Sequence, residues 1–305
     1  MCNINMVMTK SRKEDKTLTE YINVASYESY QHNSDGDGYF GLGKRFVLKK
    51  SKDKIKVKSN NFNFICSHQR WATSGNDEKD VHPFKTDNFV LVHNGVFSDL
   101  GNKKKSDTRV FVEMLDKEYN KLKGKNRMVK AIQNTTKQIR GGFSIFVYDR
   151  HTKKVYYFKE NGTSMYYLEN KKYVVMSTKK SNLEYAKYHF GIKEEIMTLG
   201  ADVIYDVFDN FSEVGSFEVK PYEWGGWKIQ ETSSIDNKVE TKTFKQHLEF
   251  KKNKREKVGV EFEEWEENGE LYLMEIGAYS DFEDDDWRDY SLKEQIKYHG
   301  YLRYV

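Results

Sequence analysis

The chain has 305 residues, enough for one large domain or for one domain with a smaller appendage. Charged residues make up 32% of it, yet aromatics reach 15%, which excludes a disordered chain and points to a folded protein with a charged surface. The net charge of +4 is too small to argue for nucleic acid, and two cysteines, Cys2 and Cys66, exclude both a disulfide framework and a clustered zinc site.

In chain order, Asn3 to Met8 reads as a first strand, followed by a charged turn at Lys10 to Lys16. Leu18, Tyr21, Ile22, Ala25 and Ser26 then keep a helical period that ends near His32. Ser34-Asp-Gly-Asp-Gly38 reads as a break, Phe46 to Lys50 and Ile55 to Val57 as a hairpin, and Phe62 to Ser67 as a buried strand. Phe89 to His93 is a further strand, expected to stop at Asn94-Gly95. Ser106 has the pattern of an N-cap, with Asp107 in the first turn and Val110, Phe111, Met114 and Leu115 at helical spacing. A second helix is expected over Asn126 to Ile139, ended by Gly141-Gly142. Strands follow at Phe143 to Tyr148, Val155 to Phe158, Ser164 to Leu168 and Tyr173 to Ser177, then a helix at Ser181 to Tyr188 and a strand at Ala201 to Val207. Strands in two groups with paired helices imply packed sheets with helices outside.

Beyond about Phe217 the composition changes. Lys242 to Lys257 is basic and Glu261 to Asp289 acidic, interleaved with Trp265, Tyr272, Tyr279, Phe282 and Trp287. Two readings stay open: a solvated linker before a small acidic subdomain, or a partner-docking arm whose charge blocks pair with each other.

Five pieces carry chemistry, in this order: Met1-Cys2; Ser67-His-Gln-Arg-Trp-Ala-Thr-Ser-Gly75; His82-Pro-Phe84; Val92-His-Asn-Gly95; and Ser106-Asp-Thr108. A thiol at position two becomes the N-terminus once Met1 is removed. Its own α-amine, with an ordinary pKa of ~7.7–8.0, can then serve as base at neutral pH, so nucleophile and base come from one residue. His68 and His93 are accordingly read as structural, and Cys66, inside an apolar strand, as a small core residue.

The order, spacing and types of these pieces resemble the glutaminase domain of class II glutamine amidotransferases, members of the N-terminal-nucleophile hydrolases. The likeness runs from Cys2 to about Asp107, with weaker similarity through Gly142-Phe-Ser-Ile-Phe146 and Met176-Ser-Thr178. It departs at Asn3, where the family usually has glycine, and at Asn33, in place of an arginine.

The resemblance implies an α+β fold: a four-layer αββα sandwich of two mostly antiparallel sheets over residues 2–216, with residues 217–305 as a charged C-terminal extension. It assigns Cys2 as nucleophile and Asn94 and Gly95 as the oxyanion hole. Arg70 would hold the α-carboxylate of glutamine and Asp107 its α-ammonium, while Trp71 and Thr73 lie on the loop that closes over the substrate and His82 orders that segment or touches the substrate. It implies a glutamyl thioester, no metal or organic cofactor, and glutamine or another γ-glutamyl amide as substrate. A non-catalytic protein that retains the fold is the remaining alternative. Family enzymes that make amino sugars, purine precursors or asparagine carry a long acceptor domain, for which the residues after Phe217 are too few. The expectation is therefore a stand-alone glutaminase-type domain, with ammonia released or passed to a separate protein. With no signal-peptide pattern or apolar run of membrane-spanning length, the expected setting is cytoplasmic, without membrane or nucleic-acid partners.

Overall fold

The structure, a computed structural model, describes residues 2–58, 61–75, 77–220, 261–267 and 270–276. The chain forms two compact units, Met1–Glu223 and Trp224–Val305. The first contains β1 (Asn3–Thr9), α1 (Thr17–Tyr30), β2 (Asp37–Leu42), β3 (Val47–Ser51), β4 (Phe64–Gln69), β5 (Phe84–Lys85) and β6 (Phe89–Phe97). There follow α2 (Asp107–Lys121), α3 (Arg127–Thr136), β7 (Gly141–Asp149), β8 (Val155–Lys159), β9 (Tyr166–Glu169), β10 (Tyr173–Ser177), α4 (Lys180–Phe190), β11 (Met197–Thr198), β12 (Val203–Asp206) and β13 (Ser212–Ser216).

One sheet has the order β11-β9-β10-β1-β4-β2-β3 and the other β13-β12-β8-β7-β6-β5. The ladders in both are antiparallel. Alternation along each strand builds the layers. In β1, Ile4, Met6 and Met8 meet Val90 and Val92 of β6 and Phe146 of β7 between the sheets. Val7 points the other way and packs with Leu18 and Ile22 of α1 and Leu183 of α4. On the second sheet, Ile145 and Val147 of β7 pack outward on Phe111 and Leu115 of α2 and Ile132 of α3. The result is the expected four-layer αββα sandwich, with both strand faces apolar because both are covered.

Several local expectations change. The expected break at Ser34 to Gly38 ends at Gly36, because Asp37 and Gly38 already open the buried strand Asp37–Leu42 paired with β4. A Cβ at Gly38 would lie 2.1 Å from the His82 carbonyl oxygen, so glycine there serves close backbone approach. The hairpin partner of β3 is consequently β2, and Ile55 to Val57 lie outside any strand. Likewise β6 does not stop at Asn94-Gly95 but runs on to Phe97, and Gly141-Gly142 opens β7 instead of closing a helix. The short strands β5, β11 and β13 carry too little pattern to have been read.

In the second unit, Glu261–Glu267 and Glu270–Ile276 form a two-stranded antiparallel hairpin with Trp265 opposite Tyr272. The basic run Lys242 to Lys257, and the acidic segment after Ile276, lie outside the described residues.

Phe146 is fully buried between the sheets, its ring 4.8 Å from that of Tyr157. Truncating it leaves a cavity that neither rigid sheet can close. Phe146→Ala should therefore cost ~3–5 kcal/mol, read as a lower urea midpoint of the full chain.

Candidate active site

The site lies where β1 begins and β4 ends side by side in one sheet, facing Asn94-Gly95 of β6 in the other. Alternation dictates which residues face it. Cys2 has the parity of Ile4 and Met6, so its thiol falls on the inter-sheet side, and Asn94 shares the inward face of Val90 and Val92. His68 and Arg70 follow Phe64 and Cys66 on the inward face of β4 and its continuation. Cys66 itself is fully buried in that core.

Cys2 is partly exposed, and its Sγ meets the backbone of Trp71, accepting from the N–H at 3.3 Å and lying 3.4 Å from the carbonyl oxygen. Local desolvation pushes the thiol pKa up, against the Trp71 backbone contact, which lowers it. A thiol in this setting needs a base to reach the thiolate form. Arg70 is buried; one Nη donates to the carbonyls of Ser74 (2.6 Å) and Gly75 (2.8 Å), while Nη1 has no partner. Asp107 stands in the first turn of α2 behind the Ser106 N-cap, whose hydroxyl accepts from the Arg109 N–H. Its carboxylate accepts from the backbone of Phe97 and Thr108, both at 2.8 Å.

Gly95 sits within β6 at φ +141°, and a Cβ there would lie 2.0 Å from the Gly142 carbonyl oxygen. Only glycine permits that conformation and that approach. Trp71 and Thr73 are exposed on the segment leaving β4. That segment is tied down by Asp35, whose carboxylate accepts the Ala72 N–H at 2.7 Å.

Behind the pocket the three histidines form a connected chain. His68 Nε2 contacts the carbonyl oxygen of His93 at 2.9 Å, and a carbonyl only accepts, so Nε2 carries the proton. Burial lowers the His68 pKa to about 3, leaving the ring neutral with a lone pair on Nδ1. His82 Nδ1 lies 3.0 Å from that lone pair and must therefore be its donor. His82, held neutral by burial, thus keeps an unpartnered acceptor at Nε2. His93 contacts the Thr108 hydroxyl at 2.8 Å and stacks on Phe97 at 4.3 Å, and burial lowers its pKa to about 4.

Cys2, Arg70, Trp71, Thr73, His82, Gly95 and Asp107 line one cavity of about 20 Å³, room for about one water. Asn94 adjoins it, with a buried, unpartnered Oδ1. Seven of the eight site residues expected from the sequence thus line one cavity, and Asn94 is next to them in β6. Sequence reasoning missed Asp80, a fully buried carboxylate that accepts from the Ser106 hydroxyl (2.8 Å) and N–H (3.1 Å) and fixes the start of α2. Its only sequence signal was a capping pattern from Asp77. His93 and Thr108, read as structural or passed over, also line the cavity. Arg70 Nη1, His82 Nε2, His93 Nε2 and Asn94 Oδ1 are all buried and unpartnered in this one region. Each such atom costs ~1–3 kcal/mol, and their convergence marks a place where a polar ligand completes the bonding. Among the described residues no His, Cys, Asp and Glu cluster is arranged to hold a metal ion.

No protein-family model matches the chain. Glutamine–fructose-6-phosphate aminotransferase (isomerizing) of Helicobacter pylori strain J99 is 25% identical over 201 residues, 61% of this chain and 32% of the relative. The enzyme of the same name from Buchnera aphidicola subsp. Acyrthosiphon pisum is 32% identical over 123 residues, 36% of this chain and 19% of the relative. The chain thus spans a third or less of the length of these two relatives. A solved structure of glutamine phosphoribosylpyrophosphate amidotransferase from B. subtilis overlays with a TM-score of 0.49 at 14% identity, covering 67% of this chain and 47% of that one. The two facing antiparallel sheets, clad by helices and with a cysteine leading the middle strand, form the four-layer αββα sandwich that the resemblance to N-terminal-nucleophile hydrolases implied. The likeness to these relatives supports a class II glutamine amidotransferase-type domain in the first unit.

The neutral histidines have a measurable consequence. Their pKa is lower in the folded protein than the ordinary 6.5, so below pH 6.5 protons bind preferentially to the unfolded chain. Stability should fall progressively from pH 6.5 towards pH 4, by up to ~1.4 kcal/mol per pH unit for each histidine. Urea unfolding across that range checks it, and His93→Gln should flatten the slope.

Proposed function

We propose that, after loss of Met1, Cys2 hydrolyses the side-chain amide of glutamine and releases ammonia for an acceptor domain or protein. The observation that carries this reading is the convergence on one cavity of a free N-terminal-strand thiol, a buried arginine with an unpartnered nitrogen, and a buried carboxylate. The cationic fork suits an α-carboxylate, and the Asp107 carboxylate an α-ammonium. Those two ends, with an amide between them, describe glutamine.

The chemistry then follows. The freed α-amine takes the thiol proton, and the sulfur attacks the amide carbon. The carbonyl oxygen becomes an oxyanion, received by the Asn94 side-chain amide and the Gly95 N–H. Collapse breaks the C–N bond, the ammonium formed on Cys2 returns its proton to the leaving nitrogen, and ammonia departs from a glutamyl thioester. Water, deprotonated by the same amine, cleaves the thioester to glutamate and restores the thiol. Trp71 and Thr73 line the cavity from the exposed segment leaving β4, at its solvent side, where they would cover bound glutamine. A free catalytic thiol further favours a reducing, cytoplasmic setting. No described helix is long and apolar enough to cross a membrane.

A glutaminase assay with an intact-mass measurement tests the proposal. The Met1-free protein should yield equimolar glutamate and ammonia, and Cys2→Ala should lose at least ~10³-fold in kcat. Undiminished turnover by that variant overturns it. Arg70→Met should chiefly raise KM for glutamine, while rates across other γ-glutamyl amides decide how strictly free glutamine is required.

A further inference from the structure

Cys2 is followed by a residue that the proposed chemistry does not use. Asn3 is fully buried, and by alternation its side chain lies on the opposite face of β1 from the thiol, towards α1. There its amide donates to the Ser29 hydroxyl of α1, and its carbonyl oxygen accepts from the Thr178 hydroxyl just beyond β10.

Both partners are themselves held. Ser29 donates back to the Ala25 carbonyl at 2.6 Å and accepts from Asn182 of α4 at 3.2 Å. Thr178 takes over the ladder where strand pairing runs out. The β1–β10 register begins at Asn5 opposite Ser177. Past it, the Thr178 N–H donates to the Ile4 carbonyl at 3.1 Å, and the Ile4 N–H donates to the Thr178 hydroxyl oxygen at 3.0 Å. On its other side, Asn3 pairs with Gln69 of β4.

We infer that Asn3, clamped by Thr178 and Ser29, is a positioning residue that fixes the backbone carrying Cys2 and so aims its thiol into the site. This rests on the proposed role of Cys2. A chain end has no covalent neighbour to restrain it and ordinarily frays. A catalytic amine and thiol on the first residue of the mature chain must nonetheless keep a fixed relation to the oxyanion donors on β6. Side-chain bonds at the second residue, on the face away from the chemistry, supply that restraint without occupying the site. They also explain how asparagine fits where glycine was expected, since its bulk enters the α1 interface and leaves the thiol uncrowded.

The test uses the full chain carrying Thr178→Val, Thr178→Ser or Asn3→Ala, with Met1 loss verified by mass and folded fraction by circular dichroism. Per folded, Met1-free molecule, Thr178→Val and Asn3→Ala should lower kcat roughly tenfold to a hundredfold, the scale of a misaimed reacting group, with KM for glutamine within about twofold. Thr178→Ser, which keeps the hydroxyl, should restore kcat, and alkylation of Cys2 by iodoacetamide should follow the same order. Wild-type kcat per folded molecule in both damaging variants overturns the inference, as does a loss that Thr178→Ser shares. If the unsubstituted Met1-free protein does not hydrolyse glutamine, or if Cys2→Ala keeps its activity, the proposed function fails instead, and this role falls with it.

Discussion

The middle position of β1 in its sheet is the constraint on which the site depends. It is bonded on one edge to β4 and on the other to β10, and neither of its faces meets solvent. A strand in that position has no freedom to shift along its neighbours without breaking two ladders and misplacing two rows of side chains. Its first residues are consequently held as firmly as an interior segment. The rest of the site is arranged around that fixed end: Arg70 continues β4 next door, and Asn94-Gly95 crosses opposite on the facing sheet.

Much of this could be read from the sequence, for reasons that particular residues make plain. The apolar alternation of Ile4, Met6 and Met8, and the Ser106 cap before Phe111 and Leu115, obey local rules that tertiary structure leaves intact. The clustering of the candidate residues could be anticipated because they sit in short, ordered pieces of sequence. Failures occurred where a glycine answers to a distant backbone. Nothing near Gly38 announces that the His82 carbonyl will pack against it, and nothing near Gly95 announces Gly142. Local reasoning reads both as turns, whereas the long-range approach makes them parts of strands. Asp80 and the Asn3 contacts were hidden for the same reason, since each bonds to residues remote in sequence.

The polar groups divide into two populations with different energetics. Around Asn3, Asn5, Ser29, Ser177 and Asn182 the bonds close on one another beneath the first sheet, and such satisfied networks make one packing arrangement preferable to its neighbours. At the pocket, Arg70, His82, His93 and Asn94 each retain an atom without a partner. The first population defines the scaffold. The second leaves bonding capacity unfulfilled, among rings and strands that are already in place.

The alternation of β1 has one more consequence. Facing is set by residue count from the fixed register, so Cys2 points inward and Asn3 outward because a single residue separates the cysteine from Ile4. One residue inserted between Asn3 and Ile4 would exchange the two faces, turning sulfur towards α1 and amide towards the pocket. The spacing between the cysteine and the first paired strand residues is therefore itself a dimension of this site.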